Sequence, residues 1–320
     1  MRSLVGWCCP CLDVADTVAP QAVLEPLVNG RSAVTRSANS NEGPSEALEQ
    51  NVYCMRHGHR QDEEEDVWHL SAARPWYASC NKGQVEYRLS LLAPMTVNHF
   101  LVSHRDPPLS VKGRQQAREA ATHFKSKNID YVFTSPFVRC LQTSAEIVDE
   151  LGLEQGRWLV LWPMAELCDP RLLLAGRDDL RGILGKRPIR EWMWNGQTFE
   201  QALSDILAPE LALSGVRIRP EMWNDTTPIY PEKIDQALKR YERQIRLVCK
   251  EFAGRNVIIV THGEALRAAI NMYDTRAAVY EVKHTGHVPL HRERDSSGAW
   301  EQWSLCCTSG QTGVYWSYAT

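Results

Sequence analysis

The residues best suited to chemistry are two histidines and three arginines placed where apolar runs end. Val52 to Met55 deliver Arg56-His57-Gly58, with Arg60 two residues beyond the glycine. A strand ending in this way sets an imidazole at the carboxyl edge of a sheet, where open α/β sheets bind ligands. Gly58 lets the backbone turn sharply and approach an anion closely. Arg56 and Arg60 supply planar, permanently charged forks that match phosphate oxygens. A second buried run, Asn256 to Thr261, delivers His262-Gly263. Arg139 lies in the first turn of a predicted helix, where a cation opposes the helix dipole. An anion bound between that arginine and the helix start would remove the conflict.

With Glu166, which follows the apolar run Trp158 to Trp162, four strand ends carry a polar group. In a doubly wound sheet those ends lie close together, so the groups can converge. Two histidines and three arginines around one pocket suit a phosphoryl group, whose oxygens and transition-state charge Arg56, Arg60 and Arg139 would neutralise. One imidazole can attack phosphorus and carry it as a phosphohistidine. The other can hydrogen-bond the equatorial oxygens. A carboxylic acid must protonate the leaving alkoxide and then deprotonate water. Taken singly, a histidine at a strand end is more often structural than catalytic, and a buried arginine usually pairs with a carboxylate. The pair His57-His59 could suggest a metal, but the neighbouring arginines argue against a cation, and neither metal nor cofactor is expected. His59, His69, His99, His104, His123, His284, His287 and His291 read as surface or packing residues.

The elements that must position these groups are legible in part. Ser110 reads as the N-cap of a helix to about Phe124, with Ala117, Ala121 and Phe124 inward. Ile129 to Thr134 reads as a buried strand, followed by Ser135-Pro136 and a helix that turns Val138, Leu141, Ala145, Val148 and Leu151 inward and stops at Gly152. Pro231 opens an amphipathic helix carrying Ile234, Leu238, Tyr241, Ile245, Val248 and Phe252 on one face. A further helix is expected from Glu264 to about Met272. Val279 to Tyr318 alternates around Asp295-Ser296-Ser297-Gly298, as a closing hairpin would. Together these imply an α/β fold, a doubly wound and mostly parallel sheet with helices on both faces.

Residues 1–50 show no sustained period and read as a tail and linker, with the folded domain over 51–320 and a cap inserted at about 168–230. The run Gln61 to Asp66 reads as a solvated acidic face, although beside two arginines it could also oppose anionic competitors. Trp68, Trp76, Trp192 and Trp194 could line a pocket for an aromatic leaving group or equally form lid core.

The 320 residues carry a net charge of -3, which argues against binding nucleic acid through bulk charge. No apolar run approaches the roughly 18–20 residues of a membrane span, and no secretory signal is evident. Ten scattered cysteines in a chain this long point to a reducing, cytoplasmic setting rather than a disulfide scaffold. Cys8, Cys9 and Cys11 are incidental thiols in a disordered tail, sites of S-acylation that tether it to a membrane, or, with no partner pair at zinc spacing, a poor metal site. Oligomeric state is unreadable.

Three segments, Tyr53 to Gly58, Ser135 to Thr143 and Val260 to Glu264, resemble the motifs of the histidine phosphatase (phosphoglycerate mutase-like) superfamily, and Pro108 to Gly113 resembles its helix-start motif. The resemblance spans about residues 51–320. It implies that His57 is the phosphorylated nucleophile and that Arg56, Arg139 and His262 complete the phosphate pocket. Glu166 falls where the family's proton donor commonly sits, with Asp106 and Glu264 as rivals. His59 and Arg60 replace the Glu or Gln and nearby Asn that usually follow in mutases. The Arg-His-Gly-x-Arg pattern with Asp106-Pro107-Pro108-Leu109-Ser110 is more similar to the branch of the suppressors of T-cell receptor signalling, in which the extra arginine, here Arg60, joins the phosphate site. No ubiquitin-binding or Src-homology module is expected before Asn51. The implied activity is metal-independent hydrolysis of a phosphomonoester, on a phosphorylated small molecule or a phosphoprotein. A phosphoglycerate-type mutase and a non-catalytic phosphate-binding or scaffold protein are the alternatives.

Overall fold

Strands form where apolar residues run without a helical period, and the computed structural model of the chain describes residues 48–64, 106–168, 198–207, 211 and 214–318. The tail cysteines, Trp68, Trp76, Trp192, Trp194 and most of the expected cap lie outside the described residues. In chain order the strands and longer helices are β1 (Glu49–Arg56), α1 (Val111–Phe124), β2 (Tyr131–Thr134), α2 (Val138–Leu151), β3 (Trp158–Leu161), β4 (Glu221–Asn224), α3 (Ile234–Glu251), β5 (Val257–Thr261), α4 (Gly263–Asn271), β6 (Ala277–Val282), β7 (His287–Glu293), β8 (Ser304–Leu305) and β9 (Val314–Tyr318).

Seven strands form one sheet in the order β4-β3-β2-β5-β1-β7-β8. The five from β4 to β1 run parallel, whereas β7 and β8 add an antiparallel edge. Along β1 the side chains alternate. Tyr53 and Met55 pack with Phe124, Leu141 and Val148 from α1 and α2, whereas Val52 and Cys54 pack with Tyr241, Ile245, Leu266 and Ala269 from α3 and α4. Helices therefore cover both faces, and β5 is buried along its whole length. Each such fully buried aliphatic side chain contributes about 1.5–3 kcal/mol.

The caps explain where the helices begin and end. Ser110 accepts from the Gly113 N–H at 3.1 Å, and Gly152 closes α2 in the left-handed conformation at φ 62°. Helix α2 starts two residues after Pro136 and is buried on almost every side, not only on the expected stripe. One expectation needs correction and one needs extension. Glu221–Asn224, inside the stretch read as a cap, is an edge strand of the main sheet paired with β3; four residues are too few to show a strand period. The closing segment contains the expected hairpin, with β7 and β8 antiparallel around Asp295 to Gly298, but it holds further strands beyond that hairpin. β7 returns beside β1, while β6 and β9 pair in a separate two-stranded sheet, so alternation marked the strands without revealing their partners. Among the described residues, no helix is long and apolar enough to cross a membrane.

Candidate active site

β1 and β5 are neighbours in register, with Arg56 opposite Thr261, so the residues just beyond them, His57 and His262, meet at one edge. Their rings lie 5.6 Å apart and both are buried. The His57 N–H donates to the Thr261 carbonyl at 3.0 Å. Its ring Nδ1 lies 2.8 Å from the Gly58 carbonyl. A carbonyl only accepts, so Nδ1 carries the proton and Nε2 presents a lone pair. Burial, then Arg139, His262 and Arg56, lower the His57 pKa well below its ordinary value, which keeps that lone pair free.

Gly58 is needed for close approach: a Cβ there would meet the Gly113 carbonyl oxygen at 2.5 Å. Its N–H donates to the Thr143 hydroxyl at 3.0 Å, and that hydroxyl donates to the Arg139 carbonyl at 2.8 Å. The histidine loop and the start of α2 are thus tied together.

Arg139 is the centre of the charge arrangement. One guanidinium nitrogen lies 3.2 Å from Asp106 and another 3.1 Å from Glu166, while the group stacks 4.6 Å over Phe137. Asp106 also accepts from the Val138 N–H, at 2.9 and 3.0 Å, and so closes the N-terminus of α2. Burial pushes Asp106 up to about 7, against the pull of Arg139 and that N–H. Glu166 receives the Leu167 N–H at 3.1 Å and sits 3.1 Å from His262 Nδ1. Burial would raise Glu166, but His262, Arg139 and the Leu167 N–H outweigh it and hold the carboxyl well below the usual range. Burial lowers His262 to about 4 despite its carboxylate neighbour. The pair is therefore a carboxylate and a neutral imidazole, because the permanent charge of Arg139 already occupies the same carboxylate. The Ser135 hydroxyl meets the other ring nitrogen at 2.9 Å.

The structure brings Arg56, His57, Arg139, Glu166 and His262 together at the strand ends. Arg56 donates to the Val282 carbonyl, and its charge is felt by His57. Arg60 is close enough to Arg56 to lower its pKa, after burial and against the pull of Glu63, but its Nε is paired with Asp62 at 3.0 Å and Glu63 at 3.1 Å. Of the rival acids, Asp106 touches Arg139, whereas Glu264 faces Arg267 at 3.6 Å.

Several supporting groups had no local signature. Arg240, on α3, holds the Pro163 and Ala165 carbonyls together with Glu232, and the Tyr241 hydroxyl donates to Ala165 at 2.8 Å. They fix the turn that presents Glu166. His284, read as a surface or packing residue, has its ring 6.1 Å from that of His57. Its only sequence cue is a histidine beside a glycine-containing turn. Among the described residues the one carboxylate–histidine group close enough to share a metal is Glu49, His291 and Glu293, on β1 and β7.

The chain is similar in sequence to known proteins. Residues 83–159 match the model of the histidine phosphatase superfamily (branch 1). The ubiquitin-associated and SH3 domain-containing protein B of Mus musculus is 24% identical over 87% of this chain, which spans 42% of that relative's length. A 2,3-bisphosphoglycerate-dependent phosphoglycerate mutase of Hamiltonella defensa is 24% identical over 60% of this chain and 78% of its own. The solved ecdysone phosphate phosphatase of Bombix mori, in complex with tungstate, superposes with a TM-score of 0.49 at 18% identity, covering 81% of this chain and 92% of that one. The chain is similar to the histidine phosphatase superfamily, and its mostly parallel sheet with helices on both faces is an α/β fold. The likeness takes in both a mutase and the ubiquitin-associated and SH3 domain-containing protein B, and it supports phosphatase or phosphomutase activity in general.

Proposed function

We propose that the protein hydrolyses phosphomonoesters, without a metal, through a phosphohistidine on His57. The observation that carries this is the fixed His57 tautomer, with Nδ1–H on the Gly58 carbonyl at 2.8 Å and the lone pair of Nε2 free beside Arg56, Arg139 and His262. Nε2 attacks phosphorus, the bond to the ester oxygen breaks, and the departing alkoxide takes a proton from Glu166. Water then attacks the phosphohistidine, giving its proton back to Glu166 and releasing phosphate. Glu166 must be protonated for the first step, although Arg139 and His262 hold it ionised in the free protein. An incoming phosphate dianion draws on the charge of Arg139 and adds negative charge beside Glu166, and both effects raise its proton affinity.

Arg56 and Arg139 neutralise the phosphoryl oxygens, with Arg60 adding charge from further out. Candidate substrates are phosphotyrosine and small phosphoesters in the cytoplasm. Acylation of Cys8, Cys9 and Cys11 is the proposed membrane tether, testable by hydroxylamine-sensitive labelling.

The deciding experiment is hydrolysis of a generic aryl phosphate by the purified chain with EDTA present, beside His57→Ala. Turnover that survives EDTA, disappears in the variant and leaves an acid-labile phosphate on His57 is the expected result. Undiminished turnover in His57→Ala would sink the proposal.

A further inference from the structure

We infer that the acidic turn Asp62-Glu63-Glu64 acts as an electrostatic selector, so that the site accepts phosphomonoesters of uncharged or cationic alcohols and disfavours those whose alcohol carries a carboxylate. This rests on the hydrolytic site proposed above and names the substrate class it takes.

The selector is built from two segments that the fold clamps beside His57. The first is the short 3₁₀ turn Gln61–Glu63, directly after Arg60. The second is the turn between β6 and β7. The Arg56 N–H donates to the Gly286 carbonyl at 2.9 Å, the Thr285 N–H donates to the His57 carbonyl at 3.3 Å, and the Arg56 guanidinium takes the Val282 carbonyl. Thr285 is held at φ 57°, a left-handed conformation that a β-branched residue rarely adopts. Such strain persists only where the surroundings over-determine it, and it collects at functional sites. Its effect here is to aim His284 inward, 6.1 Å from the His57 ring and 5.1 Å from His59.

Glu63 joins the two segments. Its carboxylate lies 3.1 Å from His284 Nε2, 3.1 Å from Arg60 Nε and 3.5 Å from His59 Nε2. Three partners fix the side chain, yet 26% of it stays exposed, which leaves its charge at the edge of the site. Asp62 shares Arg60, and Glu64 lies 3.6 Å from His59. Burial and Arg56 lower His284 to about 4, so it adds no charge near neutrality. Three carboxylates therefore outnumber two permanent cations, Arg60, paired with Asp62 and Glu63, and Arg56, which feels Glu63. The phosphoryl dianion draws on Arg56 and on Arg139, which it shares with Asp106 and Glu166, but the alcohol portion, projecting from phosphorus above His57, meets a net negative rim. A carboxylate on the alcohol is then disfavoured by about tenfold, allowing for solvent screening at the rim. A phosphoglycerate is such an ester.

The test uses the full chain and two matched ester pairs. Rates are compared for phenyl phosphate and 4-carboxyphenyl phosphate, and binding is compared by calorimetry for benzylphosphonate and 4-carboxybenzylphosphonate. In the wild type kcat/KM should be about tenfold lower for the carboxylated ester, and the gap should close to within twofold in Glu63→Gln. Rising salt should close the same gap in the wild type, a readout that needs no variant. A wild-type ratio near one, or a ratio that neither salt nor Glu63→Gln changes, overturns the selector. Should the wild type hydrolyse neither ester, hydrolysis has failed and the phosphonates decide the selector separately. About tenfold weaker binding of the carboxylated one, relieved in Glu63→Gln, supports it; equal binding, or no binding of either, overturns it.

Discussion

Replacing Gly113 by Ala tests whether the close contact between the histidine loop and α1 sets the position of His57. A Cβ at residue 113 would lie 2.0 Å from the His59 carbonyl oxygen, so one backbone must retreat by about an ångström to reach ordinary contact. Neither can do so freely. The His59 carbonyl accepts from the Ser110 N–H at 3.0 Å, the His59 N–H donates to Gln116 at 2.9 Å, and Gly58 is held by Thr143. Overpacking costs about 1–3 kcal/mol, and a strained or lost hydrogen bond adds about 1 kcal/mol. The better helix propensity of Ala returns about 1 kcal/mol. The net expectation is a destabilisation of about 2 kcal/mol, seen as a lower urea midpoint with unchanged slope. Because the loop that moves carries His57, kcat/KM for an aryl phosphate should fall about 100-fold in protein that is still folded. Gly263→Ala is the stability control: nothing lies within 4 Å of its added Cβ, and a stabilisation of about 0.5–1 kcal/mol is expected. A Gly113→Ala protein within about 0.5 kcal/mol of wild type and undiminished in turnover would refute the reasoning.

Other tests probe the charges and their supports. Glu166→Gln should lower kcat by about 10²–10⁴-fold for an alkyl phosphate and much less for a nitrophenyl phosphate, whose alkoxide needs no proton; equal losses on both would remove Glu166 as the donor. Arg240→Met leaves the Pro163 and Ala165 carbonyls and Glu232 without their partner, so a loss of about 3 kcal/mol is expected by chemical denaturation, with kcat falling because Glu166 is no longer held. Stability should decline as pH falls from about 6.5 to about 4. Burial keeps His57, His262, His284 and His287 neutral in the folded chain while the unfolded chain takes up protons, and His262 alone accounts for about 2 kcal/mol at pH 5. Asp106 works in the opposite direction: its carboxyl, raised to about 7, favours the folded chain as pH falls. With four histidines against one aspartate the net slope is still a loss on acidification, and a urea midpoint that rises as the pH is lowered from about 6.5 to about 4.5 would contradict these assignments.

What the sequence determined by itself was local. Apolar runs at Val52 to Met55 and Asn256 to Thr261 set two strands, Ser110 and Gly152 set helix ends, and each histidine or arginine was placed at the end of its own element. These signals survive because a cap or a buried strand depends on residues a few positions apart. Only the tertiary structure decided which ends meet. Arg139 reaches Glu166, 27 residues away, and His262, 123 away, and no local pattern encodes either pairing. The edge strand Glu221–Asn224 and the separate pairing of β6 with β9 were hidden for the same reason, since strand partners are chosen by packing across the whole sheet. The acidic turn after Arg60 shows the division most plainly. In the sequence Glu63 is one charge in a hydrophilic run; in the fold, the turn that carries His284 brings it against Glu63, and a solvated residue becomes part of the rim of the site. Charge and residue type are written in the chain, but the dielectric surroundings that give them chemistry come from contacts between segments far apart in it.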